Sequence, residues 1–169
     1  GILVNIGRGG VTIGTSEYAD LAKVDAGAAR AAIQAHPEVG EGVKARGWRA
    51  LTSEHDVEIL RRAIAATEGL EVPVMIHVGD SYSPLGRLLD MLRPGDIVTH
   101  MYAPPQHTIL TDSGLTASGE IIPEVIAARR RGVLFDWGQG TREHVGWAIA
   151  ERALERGFSP DSVSSDWTT

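Results

Sequence analysis

The sequence predicts an α/β fold in which the short strands of a parallel sheet alternate with helices. Apolar runs rich in β-branched residues recur along the chain, longer segments with helical periodicity separate them, and most of these segments carry start or stop signals. The composition agrees, because 43% hydrophobic and 22% charged residues over 169 positions is typical of a globular domain with a sizeable core.

Six segments have the length and composition of strands. They are Ile2–Ile6, Val39–Lys44, Val72–Val78, Ile97–His100, Gly132–Trp137 and Val163–Ser165. A helical pattern follows each of the first five, so the chain reads as consecutive βα units.

The first two long helical patterns have recognisable ends. Asp25 to Ala35 forms the helix after the first strand. In the second pattern, Ser53 and Asp56 resemble a capping box, and Gly69 supplies the left-handed residue that ends a helix. The later helices begin at Ser83-Pro84, Pro123 and Thr141 and end at Pro94-Gly95, Gly132 and Gly157.

Six βα units fit either an open doubly wound sheet or most of a (β/α)8 TIM-type barrel, which takes about 250 residues. No glycine-rich dinucleotide-binding fingerprint follows any strand, and Gly7-Arg8-Gly9-Gly10 is too irregular to count, which favours the barrel. Gly1 leads at once into an apolar run, and Thr169 closely follows the last strand. We therefore expect residues 1–169 to form a single, partial barrel domain that lacks the first two strands.

Charge and composition exclude several classes of function. The net charge is -6 and the basic residues form no stripe, which argues against nucleic acid as a partner. The absence of cysteine excludes disulfides and thiolate metal sites. No apolar run approaches the roughly 20 residues of a membrane span, and the first residues of the sequence lack the basic-then-apolar order of a signal peptide. These features predict a cytoplasmic protein with a small-molecule substrate and no membrane partner, and they are compatible with a homo-oligomer.

Four residues able to bind metal stand at the C-terminal ends of predicted strands: Lys44, His77, His100 and Asp166. The C-terminal ends of barrel strands converge on one face, where active sites of this fold are built. The four side chains are therefore predicted to share one pocket. Taken singly, each residue has a plainer interpretation, as a hydrogen-bonded structural histidine, a surface lysine or a helix N-cap.

The segments around these four residues resemble a known family. The matching runs are EGVKAR at 41–46, PVMIHVGD at 73–80, LRPGDIVTH at 92–100, RGVLFD at 131–136 and SSD at 164–166. In order and spacing they are similar to the amidohydrolase superfamily, and within it to the amidohydrolase/deacetylase metallohydrolases. The resemblance covers strands three to eight of that barrel.

The resemblance implies roles for the four residues. A carboxylated Lys44 would bridge two metals, His77 and His100 would bind one of them, and Asp166 would bind the other and transfer a proton. The family also has a His-x-His pair on its first strand. No two histidines of this chain stand two apart, so that strand is expected to lie outside it.

The residue types suit this chemistry independently. Lysine reacts with CO2 only as the neutral amine, which burial favours, and the resulting carbamate is an anionic ligand. Imidazole suits Zn²⁺ and similar ions, and a carboxylate can bind metal or accept a proton. The predicted cofactor is therefore one or two divalent metals, with zinc as the first candidate.

Further residues are candidates for the border of the pocket. Arg46, Tyr102, His107 and Gln139 are predicted substrate contacts because they follow strands or lie in the loops after them. The family would have a histidine at the position of Gln139. His144 is a candidate for the rim of the pocket.

The function predicted is a metal-dependent hydrolase that cleaves an acyl amide or ester bond with metal-activated hydroxide. Deacetylation is implied by the resemblance alone. Three alternatives stay open: a barrel aldolase with Lys44 as a Schiff base, a mononuclear hydrolase or deaminase with an unmodified Lys44, and an inactive barrel fragment or binding module.

Overall fold

The computed structural model describes residues 1–8, 18, 20–104, 108–111, 119–140 and 144–165. Within this part of the chain, five strands form one sheet whose spatial order follows the sequence, and every neighbouring pair is parallel. The strands are β1 (Ile2–Asn5), β2 (Gly40–Arg46), β3 (Val74–His77), β4 (Ile97–Thr99) and β5 (Leu134–Phe135).

Helices connect these strands. They are α1 (Ala26–Ala35), α2 (Arg49–Thr52), α3 (Asp56–Thr67), α4 (Leu85–Leu89), α5 (Pro123–Arg131) and α6 (Trp147–Glu155), with 3-10 turns at Leu21–Lys23 and Ser53–His55. Within the described ranges, no helix has the length and apolarity to cross a membrane. The alternation of parallel strands with helices confirms the predicted α/β fold class.

The sixth predicted strand, Val163–Ser165, lies beside the end of β5. It contributes only to isolated parallel bridges, Asp136 with Ser162 and Gln139 with Ser165. The amide groups of Trp137 and Gln139 donate to the carbonyl groups of Ser162 and Ser164. The segment therefore continues the sheet in the parallel sense without forming a regular ladder.

The predicted capping box at Ser53 is wrong. Ser53 has a positive φ of 48° and ends α2, and the long helix begins at Asp56. The Asp56 carboxylate accepts hydrogen bonds from the amide of Val57 and from both the amide and the hydroxyl of Ser83. Asp56 therefore ties the start of α3 to the segment before α4, a long-range contact that local spacing does not show.

Other helix ends agree with the sequence. The Asp25 carboxylate accepts from the amide of Ala28 and caps α1. Gly69 follows α3 and Gly132 caps α5, both with positive φ, where a residue without Cβ avoids strain. The last helix, α6, begins at Trp147, and its predicted start, Thr141, lies outside the described residues.

The two faces of the sheet differ in kind. One face packs against the helices and is at most 1% exposed; its residues are Val43, Ala45, Val74, Ile76, Val98 and Phe135. The residues between them point to the opposite face because side chains alternate along a strand. That face carries Lys44, Arg46, Met75, His77, Ile97 and Thr99, several of them partly exposed. The polar and titratable side chains near the C-terminal ends of the strands therefore lie on this second face.

Candidate metal centre

The ends of β2 and β3 bring cationic and imidazole side chains to one face. Arg46 is paired in register with His77, and Lys44 with Met75, so all four side chains point the same way. Lys44 and Arg46 are both partly buried, and His77 is only 6% exposed. Lys44 therefore lies on the same face of the sheet as His77 and is partly buried there.

Three imidazoles meet at this end of the sheet. The ring centroids lie 4.2 Å apart for His77 and His100, 4.1 Å for His100 and His144, and 5.2 Å for His77 and His144. One nitrogen of each ring lies within 4.8 Å of the other two, which is a spacing that could hold a metal ion. In the part of the chain that the structure describes, this is the one group of three or more such ligands.

Burial determines the protonation of His77. It lowers the pKa of the imidazole well below 6.5, and the charges of His100, Lys44, His144 and Arg46 lower it further. His77 is therefore neutral near pH 7, which is the state that coordinates a cation. The register of β2 and β3 places Arg46 directly beside His77, with Lys44 two residues before it on the same face.

The backbone after β5 orients His100. His100 has a positive φ of 62°, and its Nδ1 lies 2.5 Å from the carbonyl oxygen of Gly138. Because a carbonyl only accepts, Nδ1 carries the proton and Nε2 is the nitrogen with a lone pair for metal. A Cβ at Gly138 would lie 2.7 Å from Nδ1 of His100 and 2.3 Å from the Thr99 hydroxyl. Glycine at 138 therefore permits the close approach of this carbonyl.

His144 belongs to the cluster although the sequence indicates only a rim position for it. Its ring packs on Gly140, where a Cβ would fall 1.7 Å from Nδ1 of His144. His144 lies in the segment before α6 and not at the end of a strand, so strand-end reasoning does not find it. The spacing Gly138-x-Gly140 after a strand is the signal that side chains approach the backbone here.

The remaining predicted site residues differ in whether the structure describes them and in how exposed they are. Asp166 and His107 lie outside the described residues. Gln139 is exposed, accepts from the Trp137 indole and donates to the carbonyl of Gly140. Tyr102 lies in the core, 0% exposed, where burial raises the pKa of its hydroxyl and that hydroxyl donates to the carbonyl of Phe158. Of the two that the structure describes, Tyr102 is buried and Gln139 has an accessible side chain.

The donor set fits a divalent cation. Neutral imidazoles that present a lone pair are common ligands of Zn²⁺ and similar ions. The hydrogen bond from His100 to a backbone carbonyl is the support that metal-binding histidines ordinarily have.

Comparisons with known proteins find relatives by sequence and relatives by structure. A scan against models of protein families finds no match. A deacetylase from Enterococcus faecalis is 33% identical over 165 residues, which are 97% of this chain and 43% of that protein. A deacetylase from Brucella anthropi is 28% identical over 151 residues, which are 89% of this chain and 36% of that protein.

Two solved structures share the fold. One, described as an adenine deaminase, has a TM-score of 0.87 and 32% identity, over 98% of this chain and 44% of that one. The other, a dihydroorotase, has a TM-score of 0.81 and 25% identity, over 98% of this chain and 50% of that one. The chain thus spans half or less of the length of each of these proteins.

The fold, the polar ends of its strands and these similarities agree with one another. The chain belongs to the amidohydrolase superfamily, which includes adenine deaminases and dihydroorotases. The sheet with its helices on one face corresponds to part of the TIM-type barrel of that superfamily. The family and the fold class predicted from the sequence are both confirmed.

Proposed function

We propose that the protein is a metal-dependent hydrolase that cleaves an acyl amide or ester bond. The observation that carries the proposal is the cluster of His77, His100 and His144 at the C-terminal ends of the strands, beside Lys44. This is the end at which barrel enzymes place their active sites. The two curated relatives named deacetylases support the acyl substrate.

His77 and His100 are the proposed imidazole ligands, and the geometry adds His144 as a third. Lys44 as a carbamate and Asp166 complete the proposed set. Lys44 is partly buried, and burial is the condition under which a lysine can present the amine that reacts with CO2. When bound, a divalent metal, with Zn²⁺ as the first candidate, supplies an activated water and polarises the bond to be cleaved.

The remaining roles belong to the chain itself. Asp166 would accept the proton of the attacking water and pass it to the leaving group. Arg46, on the same face as His77, would bind an anionic or carbonyl oxygen of the substrate, with His107 and Gln139 at the edge of the pocket. Residues 1–169 would form a single, partial barrel catalytic domain, and the full-length protein would act on a small molecule in the cytoplasm.

A second candidate is hydrolytic deamination of a heterocyclic amine. It is favoured by the solved adenine deaminase with a TM-score of 0.87 and 32% identity. The chemistry is closely related, because water attacks an sp2 carbon in both reactions, but the leaving group is ammonia in place of an amine or alcohol.

The test is a substrate panel with the full-length protein loaded with Zn²⁺ or Mn²⁺. It contains N-acetyl and O-acetyl compounds and aminopurines, and acetate and ammonia are measured separately. Acetate release that disappears in His77→Ala and His100→Ala supports the first function. Ammonia release supports the second.

His36 provides the matched control for these variants. Its side chain is 67% exposed and lies beside Glu38, so His36→Ala removes an imidazole without touching the cluster. Equal activity of His77→Ala and the parent protein would contradict both candidate functions, and so would the absence of bound metal in the full-length protein.

A further inference from the structure

Asp136, the residue directly after β5, is a buried carboxylate beside the imidazole cluster. It is 1% exposed. Its Oδ2 accepts hydrogen bonds from the hydroxyls of Thr99 and Ser164, each at 2.7 Å, and its Oδ1 accepts one from Ser162 at 2.7 Å. One side chain therefore joins three segments that are distant in sequence.

Backbone contacts hold Asp136 at the junction of these segments. Its amide donates to the carbonyl of Val98, and its own carbonyl accepts from the amide of Met101. On the other side, Asp136 forms a parallel bridge with Ser162. Asp136 thus lies between the end of β4 and the segment 162–165.

The partners of Asp136 are neighbours of proposed ligands. Thr99 immediately precedes His100, and Ser164 stands two residues before Asp166. Asp136 itself is not in the one metal-competent group found among the described residues, which contains three histidines. The contacts that the structure shows for Asp136 therefore connect it to the metal centre through the residues that it holds.

The chemistry of the contact argues against a role in stability alone. A carboxylate is costly to bury, and among the described residues the side chain of Asp136 accepts hydrogen bonds from three neutral hydroxyls. Asp96, equally buried at 1% exposure, is bonded to the guanidinium of Arg93. An apolar side chain at 136 could fill the same space without that desolvation cost, but it could not fix the orientation of three hydroxyls.

We propose that Asp136 is a positioning residue for the metal centre, and this rests on the proposed function. By accepting from Thr99 and Ser164 on a single oxygen, its carboxylate fixes the end of β4 relative to the segment that precedes Asp166. His100 is then oriented from two sides, by this contact and by the Gly138 carbonyl. Partners that hold metal ligands typically change metal affinity by 10- to 100-fold when removed.

The experiment measures the affinity of the full-length protein for Zn²⁺ alone, by competition with a chromogenic chelator, with a thermal melt for each variant. Asp136→Ala is expected to raise the Kd for Zn²⁺ by 10- to 100-fold. Asp136→Asn is expected to stay within about threefold of the parent, because its amide oxygen can accept from Thr99 and Ser164 while its NH2 group donates to Ser162.

Asp96→Ala is the matched control. It removes a carboxylate of equal burial from the other end of β4, so it should lower the melting temperature and leave the Kd unchanged. If Asp136→Ala fails to fold, Thr99→Val and Thr99→Ser replace it. Valine keeps the volume without the hydroxyl and should weaken Zn²⁺ binding, whereas serine should preserve it.

Several results would overturn the proposal. The first is an unchanged Kd in folded Asp136→Ala, or in Thr99→Val if Asp136→Ala does not fold. The second is an Asp136→Asn variant that binds Zn²⁺ as weakly as Asp136→Ala. The third is an Asp96→Ala variant whose Kd rises as much as that of Asp136→Ala. The second would assign the effect to charge and the third to general loosening. If the parent binds no Zn²⁺, the proposed function fails together with this inference. If the parent binds Zn²⁺ and the variants bind equally well, only the role of Asp136 fails.

Discussion

The two ends of β4 both hold buried polar groups, but they hold them in opposite ways. At the N-terminal end, Asp96 accepts from the amides of Val74 and Arg93 and from the Arg93 guanidinium, which also donates to the Thr67 hydroxyl. The negative charge of Asp96 is thus paired with the positive charge of Arg93 within the protein. At the C-terminal end, His77, His100 and His144 place three imidazoles together with Lys44 nearby. The first arrangement stabilises the fold, and the second is suited to a bound cation.

The largest effect is expected at the C-terminal end. Asp166→Asn in the full-length enzyme keeps the size and polarity of the side chain but removes a base and an anionic ligand. A loss in kcat of about 10² to 10⁴ with an unchanged thermal melt is expected, because general acid-base groups typically contribute that much. Activity within about threefold of the parent would remove Asp166 from the mechanism, since asparagine could replace it in a capping role but not as a base.

A loss of stability without loss of metal is expected at the other end. Asp96→Ala leaves the Arg93 guanidinium and the Val74 amide without their acceptor, and should lower the free energy of unfolding by about 2 to 4 kcal/mol. The pairing also holds the pKa of the Arg93 guanidinium above its usual value. Urea unfolding measures the change, and a loss below about 1 kcal/mol would contradict the assigned role of this ion pair.

The C-terminal end should also make stability depend on pH. The pKa of His77 in the folded protein lies well below 6.5, mainly because the ring is buried. The unfolded chain therefore binds a proton first as the pH falls, and the free energy of unfolding decreases below about pH 6.5, by up to about 1.4 kcal/mol per pH unit.

Urea unfolding of chelator-treated protein at pH 7.5 and 5.5 tests this dependence. His77→Gln should reduce the difference between the two pH values, and exposed His36→Gln should leave it as in the parent. Identical pH dependence in the parent and in His77→Gln would contradict the assignment.

The smallest effects are expected from substituting glycines near the two ends of β4. At Gly95 a Cβ would meet no atom within 4 Å, but φ is +88°, so Gly95→Ala should cost about 1 kcal/mol through backbone strain alone. At Gly140 a Cβ would overlap the His144 ring, so Gly140→Ala should displace that imidazole. We expect Gly140→Ala to weaken Zn²⁺ binding several-fold and Gly95→Ala to leave it unchanged. Equal Kd values for the two variants would remove His144 from the site.

Much of the fold follows from local patterns. The apolar runs at β1 to β4 and the glycines at 69 and 132 predict strands and helix ends, because period-two burial and positive φ are local requirements. The capping box at Ser53 fails for the opposite reason. Asp56 bonds to Ser83, 27 residues away, and no spacing within the helix indicates that partner.

In the candidate site, too, some features follow from local sequence and others only from tertiary packing. The sequence by itself determined that Lys44, His77 and His100 lie at or near the C-terminal ends of strands in a parallel sheet, because strand composition and alternation are properties of neighbouring residues. Only the tertiary structure decided that His144 joins these histidines, that Tyr102 is buried in the core and that Asp136 links β4 to residues 162–164. Each of these depends on how loops and strands far apart in sequence pack, and packing across such distances leaves no periodic pattern in the chain.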